Sequence, residues 1–404
     1  MAKYNPFRPN SMVSPGMFCG RWEELRATEK SLFQTKHGNP KHFLVQGERG
    51  IGKSSLLLCV DFVANGEIDT LDNQRLNFIV VSVELVSSST YEDIVSCIAA
   101  EFKSQVARRE KIKELAIKAW DFVSNWKVMG VEYKRNQSTG DDLILVDSLC
   151  EGISTFIGRV GDNIDGILIL NDEADKPAEA AKLGEFCKLF SEKMTKLRCE
   201  KVCIGIAGLP SLVNKLKASH ESSPRIFETL ALEPLEPMER EEVVRKGLEE
   251  AKRRNGIETT IDQNAMDTIV GLSEGYPHFI QQFAYSAFEE DQDNNISLDD
   301  VNCGAFKENG ALDQLGKRYF SELYFDRIGS EDYRRVLNSM ADKLDGWISR
   351  AEIIKMSGVK ETQVTNALKA LRERQIILPN ENKQGEYRLP TKSFAVWIKA
   401  LNSE

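Results

Sequence analysis

Short apolar, β-branched runs alternate with longer stretches of helical spacing through the first half of the chain. "HFLVQ", "NFIVVSVEL", "GILIL" and "VCIGIAGL" are five to nine residues long, short enough for strands and too apolar for exposed ones. "IFETLALEPL" contains a fifth such run. Between them, "KSSLLLCVDFVAN" and "TYEDIVSCIAAEFKSQVA" place apolar residues at three- and four-residue intervals. Strands separated by a dozen or more helical residues predict an α/β fold with a parallel, doubly wound sheet. A Pro- and Gly-punctuated arm and the short helix "RWEELRATEKSLFQ" precede it. "RREKIKELAIKAWDFVSNW" reads as an amphipathic helix with Ile112, Leu115, Ala119, Val123 and Trp126 on the face that packs on the domain. It belongs to a helical insert over 103–147, within a core spanning 1–236.

From about Pro237 the spacing becomes wholly helical, through "MEREEVVRKGLEEAKRRNG", "DQNAMDTIVGLS" and "YPHFIQQFAYSAFEE". A small helical lid over 237–312 is expected, with "DQDNNISLDD" as a polar loop. Residues 313–404 then read as helices over "SEDYRRVLNSMADK", "SRAEIIKMSGV" and "KETQVTNALKALRERQ", followed by a hairpin in "IILPNENKQGEYRLP". That order outlines a winged helix-turn-helix.

The chemistry concentrates where the first strand meets its helix. "GERGIGKSSLLL" matches a phosphate-binding loop at every position, Gly47-x4-Gly52-Lys53-Ser54. Glycines let the backbone of Gly47, Glu48, Arg49, Gly50, Ile51 and Gly52 wrap a phosphate with N–H groups inward. The following helix terminus, with Ser54 and Ser55, adds partial positive charge. Lys53 is placed to reach the β- and γ-phosphates of ATP, or the β-phosphate of ADP, and the Ser54 hydroxyl to ligate Mg²⁺. The third apolar run ends in Asp172 and Glu173. Carboxyl ends of parallel strands are where such sheets bind ligands. Asp172 there can hold Mg²⁺ and Glu173 can orient or deprotonate the attacking water. This pair favours ATP hydrolysis over passive binding. Asp175 reads as a cap or partner contact, not a third metal ligand.

Composition narrows the setting. No run approaches the ~18 apolar residues of a membrane helix, and the N-terminus lacks the pattern of a secretion or transit signal. Eight cysteines show no framework or metal-site spacing, so reduced core thiols in a cytoplasmic protein are expected. A net charge of −9 argues against a basic surface overall. Between Ser349 and Lys392, however, nine basic residues face five acidic ones. The helix "KETQVTNALKALRERQ" carries Lys360, Gln363, Thr365 and Asn366 in its first half, side chains suited to phosphates or base edges.

With "PGMFCGRWEEL", "GERGIGKSSLL", "LILNDEAD" and "GLSEGYPHFIQQFAYSAFE" in hand, the chain resembles an AAA+-type P-loop ATPase over roughly residues 5–400. Within that class it is similar to the origin-recognition initiator ATPases and to the related signal-transduction (STAND) ATPases. The resemblance implies an adenine pocket around Phe18, Gly20 and Arg21, a lid over the nucleotide, and hydrolysis that depends on oligomerisation. It implies an arginine finger at Arg225, aimed at a neighbour's γ-phosphate. It puts Pro277 and His278 where initiator ATPases carry a γ-phosphate-contacting arginine, a role that falls here to His278 or to no residue. The polar γ-phosphate sensor expected near the end of the fourth strand is missing, replaced by Ala207, Gly208 and Leu209, which implies slow turnover. The leading expectation is an ATP-binding, slowly hydrolysing switch that forms a homo-oligomer or recruits a partner, without membrane contact. A DNA-binding initiator or transposition-like ATPase, clamping duplex DNA through Lys360, Arg372 and Arg388, is the alternative. A scaffold ATPase of a prokaryotic defence system is the third.

Overall fold

The computed structural model describes residues 3–115, 141–344, 346–380 and 383–402. The chain divides into two compact units, Met12–Glu233 and a second made of Met1–Ser11 with Pro234–Glu404.

The first unit is built on five strands: β1 His42–Gln46, β2 Phe78–Glu84, β3 Gly166–Asp172, β4 Val202–Gly208 and β5 Phe227–Ala231. Their order is β2-β3-β4-β1-β5, and every pairing is parallel. Helices cover both faces, which is why the central strands are continuously apolar instead of alternating. Helices α1 (Trp22–Lys36) and α2 (Lys53–Ala64) lie on one face. On the other, α3 (Tyr91–Ala107), α4 (Glu110–Leu115), α5 (Asp141–Val160), α6 (Leu183–Lys196) and α7 (Leu212–Ser219) contribute to one core with Ile79, Val81, Ile167 and Ile169. Phe102 and Phe156 meet edge-on there at 4.9 Å, an arrangement that suits the ring quadrupoles. Of the insert's proposed apolar face, Ile112 is buried on α4. Ala119, Val123 and Trp126 lie outside the described residues.

The second unit contains α8 (Pro237–Asn255), α9 (Gln263–Ser273), α10 (Pro277–Glu290) and α11 (Leu298–Phe306). The segment 237–312 is not wholly helical, and its expected polar loop leads into a short strand. Asp291 Oδ1 accepts from the amides of Asp293, Asn294 and Asn295. That turn lays β7 (Asn295–Ile296) beside β6 (Thr260–Ile261). A reciprocal Ser297–Asp300 capping box then starts α11. The amino-terminal arm, expected with the core, belongs to this unit. Phe7 is buried against Phe288 and Gly247, where a Cβ would come within 2.2 Å of its ring. Asn255 pairs with both the N–H and the C=O of Tyr4.

Beyond α12 (Ala311–Leu315) come two π-helical turns, Gly316–Phe320 and Glu322–Asp326. Helix α13 (Glu331–Ala341), β8 (Ile348–Ser349), α14 (Arg350–Ser357), α15 (Glu361–Glu373), β9 (Leu378–Pro379), β10 (Glu386–Arg388) and α16 (Lys392–Leu401) complete the chain. The three strands form an antiparallel sheet in the order β8-β10-β9. Not every cysteine is a core thiol. Cys303 is exposed on α11 beside Glu290, because α11 turns that position to solvent.

Candidate nucleotide-binding site

The carboxyl rim of the sheet gathers the sequence-predicted groups of the first unit. Pairing registers Asn171 with Ile206 and Ile206 with Leu44, so Asp172 ends its strand level with Val45. The loop Gly47–Gly52 starts on that same rim. Only β4 separates β3 from β1, a lateral span of about 10 Å at the usual strand spacing. That is the scale of a magnesium-bound triphosphate.

Gly50 and Gly52 take φ values of 79° and 101°, a region that L side chains with a Cβ avoid. Ile51 is fully buried and its N–H bonds to Glu48 O at 3.4 Å. Helix α2 begins at Lys53 with no side-chain hydrogen bond at its cap. Its first-turn amides, which have no intrahelical acceptors, are left for an anion. Lys53 Nζ donates to Gly47 O and Glu48 O, each at 2.8 Å. Burial lowers its pKa, while Asp172, Asp175, Glu173 and Glu48 pull it back up, Asp172 most strongly. The lysine thus sits in the field of the acids at the end of β3.

Those acids differ in environment. Asp172 is half-buried and its Oδ1 accepts from the Glu173 amide at 2.8 Å. Glu173 is exposed and left-handed, at φ 50°, and pairs with Lys176. Asp175 turns back to accept from the Leu209 amide at 2.9 Å. A Cβ on Gly208 would come within 2.5 Å of that carboxylate, so Asp175 fills the space beside Gly208.

Phe18 is buried and meets Trp22 edge-on at 6.4 Å. Arg21, also buried, points Nη2 at Ile51 O, 3.2 Å away, and pairs with Glu24. Arg225 is exposed in the turn before β5. Phe227 pairs with His42 at the amino end of β1, which puts Arg225 a strand length, roughly 15 Å, from the loop of its own chain.

In the second unit, Pro277 opens α10. The His278 ring stands 5.3 Å from Tyr319 and 6.4 Å from Phe279, with Nε2 enclosed and unbonded among the described residues. Burial, aided by Arg318, lowers its pKa to about 4, so the imidazole is neutral at pH 7. A neutral imidazole carries no positive charge to offer an anion. Lys360, at the N-cap of α15, and Arg372 on the helix are exposed, whereas Gln363 is bonded to Asp332 at 2.9 Å. Arg388 lies over the Trp347 ring at 5.2 Å.

Comparison with other proteins places this geometry. No family model matches the chain. An uncharacterised HTH-type transcriptional regulator of Methanocaldococcus jannaschii is 23% identical over 284 residues. The match takes in 69% of this chain and spans 65% of that relative's length. The ORC2 protein of Aeropyrum pernix, solved in its ADPNP-ADP complexes, superposes with a TM-score of 0.55 at 13% identity, over 99% of this chain and 97% of that one. Its ADP form gives 0.50 at 14% identity, over 98% and 96%. Nearly the whole chain therefore carries the fold of the archaeal origin-recognition initiator ATPases.

Proposed function

We propose that the protein binds ATP and hydrolyses it slowly, as a switch that assembles with copies of itself or recruits a partner. The single observation that carries this reading is the uncapped, glycine-framed start of α2, with Lys53 held in the field of Asp172, Glu173 and Asp175 across β4. The residues fit a magnesium-bound nucleotide. The amides of 50–55 suit the phosphates, and Ser54 with Asp172 supplies the sparse oxygen set Mg²⁺ prefers. Bound there, Mg²⁺ would neutralise charge developing on the phosphates.

This chain's own residues do the rest. Lys53 leaves the carbonyls of Gly47 and Glu48 for phosphate oxygens. Glu173 leaves Lys176 to orient a water. With no side chain on Gly208 to contact the γ-phosphate, turnover is slow. Arg225, remote from its own loop, acts on a neighbour's nucleotide.

Lys53→Ala is expected to abolish nucleotide binding by calorimetry. Glu173→Gln is expected to keep binding while turnover drops about 100-fold or more, as for loss of a general base. Unchanged turnover in both variants sinks the reading.

A second reading rests on the exposed Lys360, Arg372 and Arg388 and on the relative named as an HTH-type regulator. In it, residues 313–404 form a winged helix that grips duplex DNA while ATP is bound. Affinity would then fall steeply with salt and with charge reversal at these three positions. Binding that ignores salt rejects it.

A further inference from the structure

Arg21 is one of the few buried charged residues in the first unit, and its environment points away from the base-contacting role that the resemblance implies. It is 8% exposed and left-handed, at φ 58°, immediately before α1. Glu24, one turn into α1, holds Nη1 at 3.4 Å. Nη2 donates to the carbonyl of Ile51 at 3.2 Å. Ile51 is the apex of the loop, and its side chain is buried at 1% exposure. A Cβ on Gly47 would come within 2.8 Å of the Ile51 side chain. The apex residue is therefore pinned twice, by its side chain from inside the loop and by its carbonyl from outside.

No described peptide bond is cis. In a trans peptide the C=O and the following N–H point in opposite directions. Holding Ile51 O toward Arg21 thus turns the Gly52 N–H to the other side of the peptide plane. Gly52 at φ 101° then hands the chain directly into α2. From this geometry we infer that Arg21 is a positioning residue of the phosphate loop: its guanidinium sets the peptide 51–52 so that the Gly52 amide faces the phosphates. This rests on the nucleotide reading above and adds the group that holds the loop in shape before ligand arrives. A guanidinium suits the task because its planar fork reaches Glu24 and Ile51 O together. An ammonium at the same site makes a point contact and does not fix the plane.

The test compares ATP with inorganic tripolyphosphate, which has the phosphates and no base. In Arg21→Ala the dissociation constants of both ligands should rise by the same factor, about ten-fold or more. The unliganded thermal midpoint should stay within a few degrees of wild type. Turnover should show a raised KM for ATP with kcat retained, the pattern of lost uniform binding. Arg21→Lys should not rescue, and Glu24→Gln, which leaves Arg21 in place but loosens it, should produce a smaller loss equal for both ligands. A loss confined to ATP, with tripolyphosphate unaffected, overturns the inference in favour of a base contact. Unchanged binding of both also overturns it, as does a loss that tracks a collapsed midpoint in Arg21→Ala and is absent in Glu24→Gln. Lys53→Ala separates the two levels. If that variant still binds ATP, the nucleotide reading itself has failed; if it does not, any failure above lies with Arg21 alone.

Discussion

His42 shows how one side chain can tie stability to pH. It opens β1, where Nδ1 accepts from the Ile204 amide at 3.1 Å and Nε2 meets Ser191 Oγ at 3.2 Å. Burial lowers its pKa to about 4. The unfolded chain therefore takes up a proton near the ordinary value of about 6.5, well before the folded one does. The stability is complete above that pH and is lost as pH falls toward 4. From His42 alone the loss should be on the order of 3 kcal/mol. Urea midpoints measured at pH 7 and pH 5 should differ, and His42→Asn should flatten the difference. At the opposite, carboxyl rim of the sheet, Gly208 carries a second expectation. Gly208→Ala forces the Asp175 carboxylate off the Leu209 amide and crowds Leu212, so a loss of about 1–3 kcal/mol is expected in thermal unfolding. An unchanged midpoint contradicts that packing.

Among elements, the turn between α9 and α10 is held from two sides. Gly275, at φ 85°, accepts from the Leu235 amide at 2.9 Å. Glu274, left-handed at φ 48°, accepts from the Lys392 amide at the start of α16. Ser393 Oγ donates to Leu272 O at 2.6 Å. One turn thereby joins α9 and α10 to the last helix of the chain. Glu274→Ala removes the carboxylate that satisfies an orphan amide of α16. It should cost about 1 kcal/mol or more, with hydrogen exchange rising first in α16. The π-helical turn beside it offers a sharper check. Gly316 lies under Trp397, and a Cβ there would sit 2.0 Å from the indole nitrogen. Gly316→Ala should displace Trp397 from Phe320 and Phe394, which ring contacts of 5.7 and 6.1 Å now hold. Unaltered exchange and an unaltered midpoint would be incompatible with this packing.

For the whole molecule, the expectation is assembly. Arg225 stands at the rim opposite its own phosphate loop, so any part it has in hydrolysis is played on another copy. Mass measured in solution with and without ATP should then differ, and Arg225→Ala should lower turnover while leaving the ATP dissociation constant unchanged. Wild type and Arg225→Ala are expected to diverge more as protein concentration rises. Turnover per molecule that does not depend on concentration argues against a shared site. The overall charge of −9 makes nonspecific polyanion binding unfavourable, so any DNA affinity must come from the local excess on α14, α15 and the β9–β10 hairpin.

The chain's local chemistry determined a good deal without help. The five strands, the helix behind the phosphate loop and the acids at the end of β3 were legible because each depends on residues adjacent in sequence. Burial makes a strand continuously apolar, and a tight loop needs glycine wherever it turns. The antiparallel hairpin after α15 could be read for the same reason. What followed from distant contacts could not be read. The arm packs with the second unit because Gly247 leaves a slot for Phe7, 240 positions away in sequence. Strand β7 exists because Asp291 collects three amides and brings it to β6. The bond from Arg21 to the Ile51 carbonyl and the burial that keeps His278 neutral could not be read from neighbouring residues either. A side chain's type is written in the sequence, but its charge state and its partner are set by whatever the fold places around it.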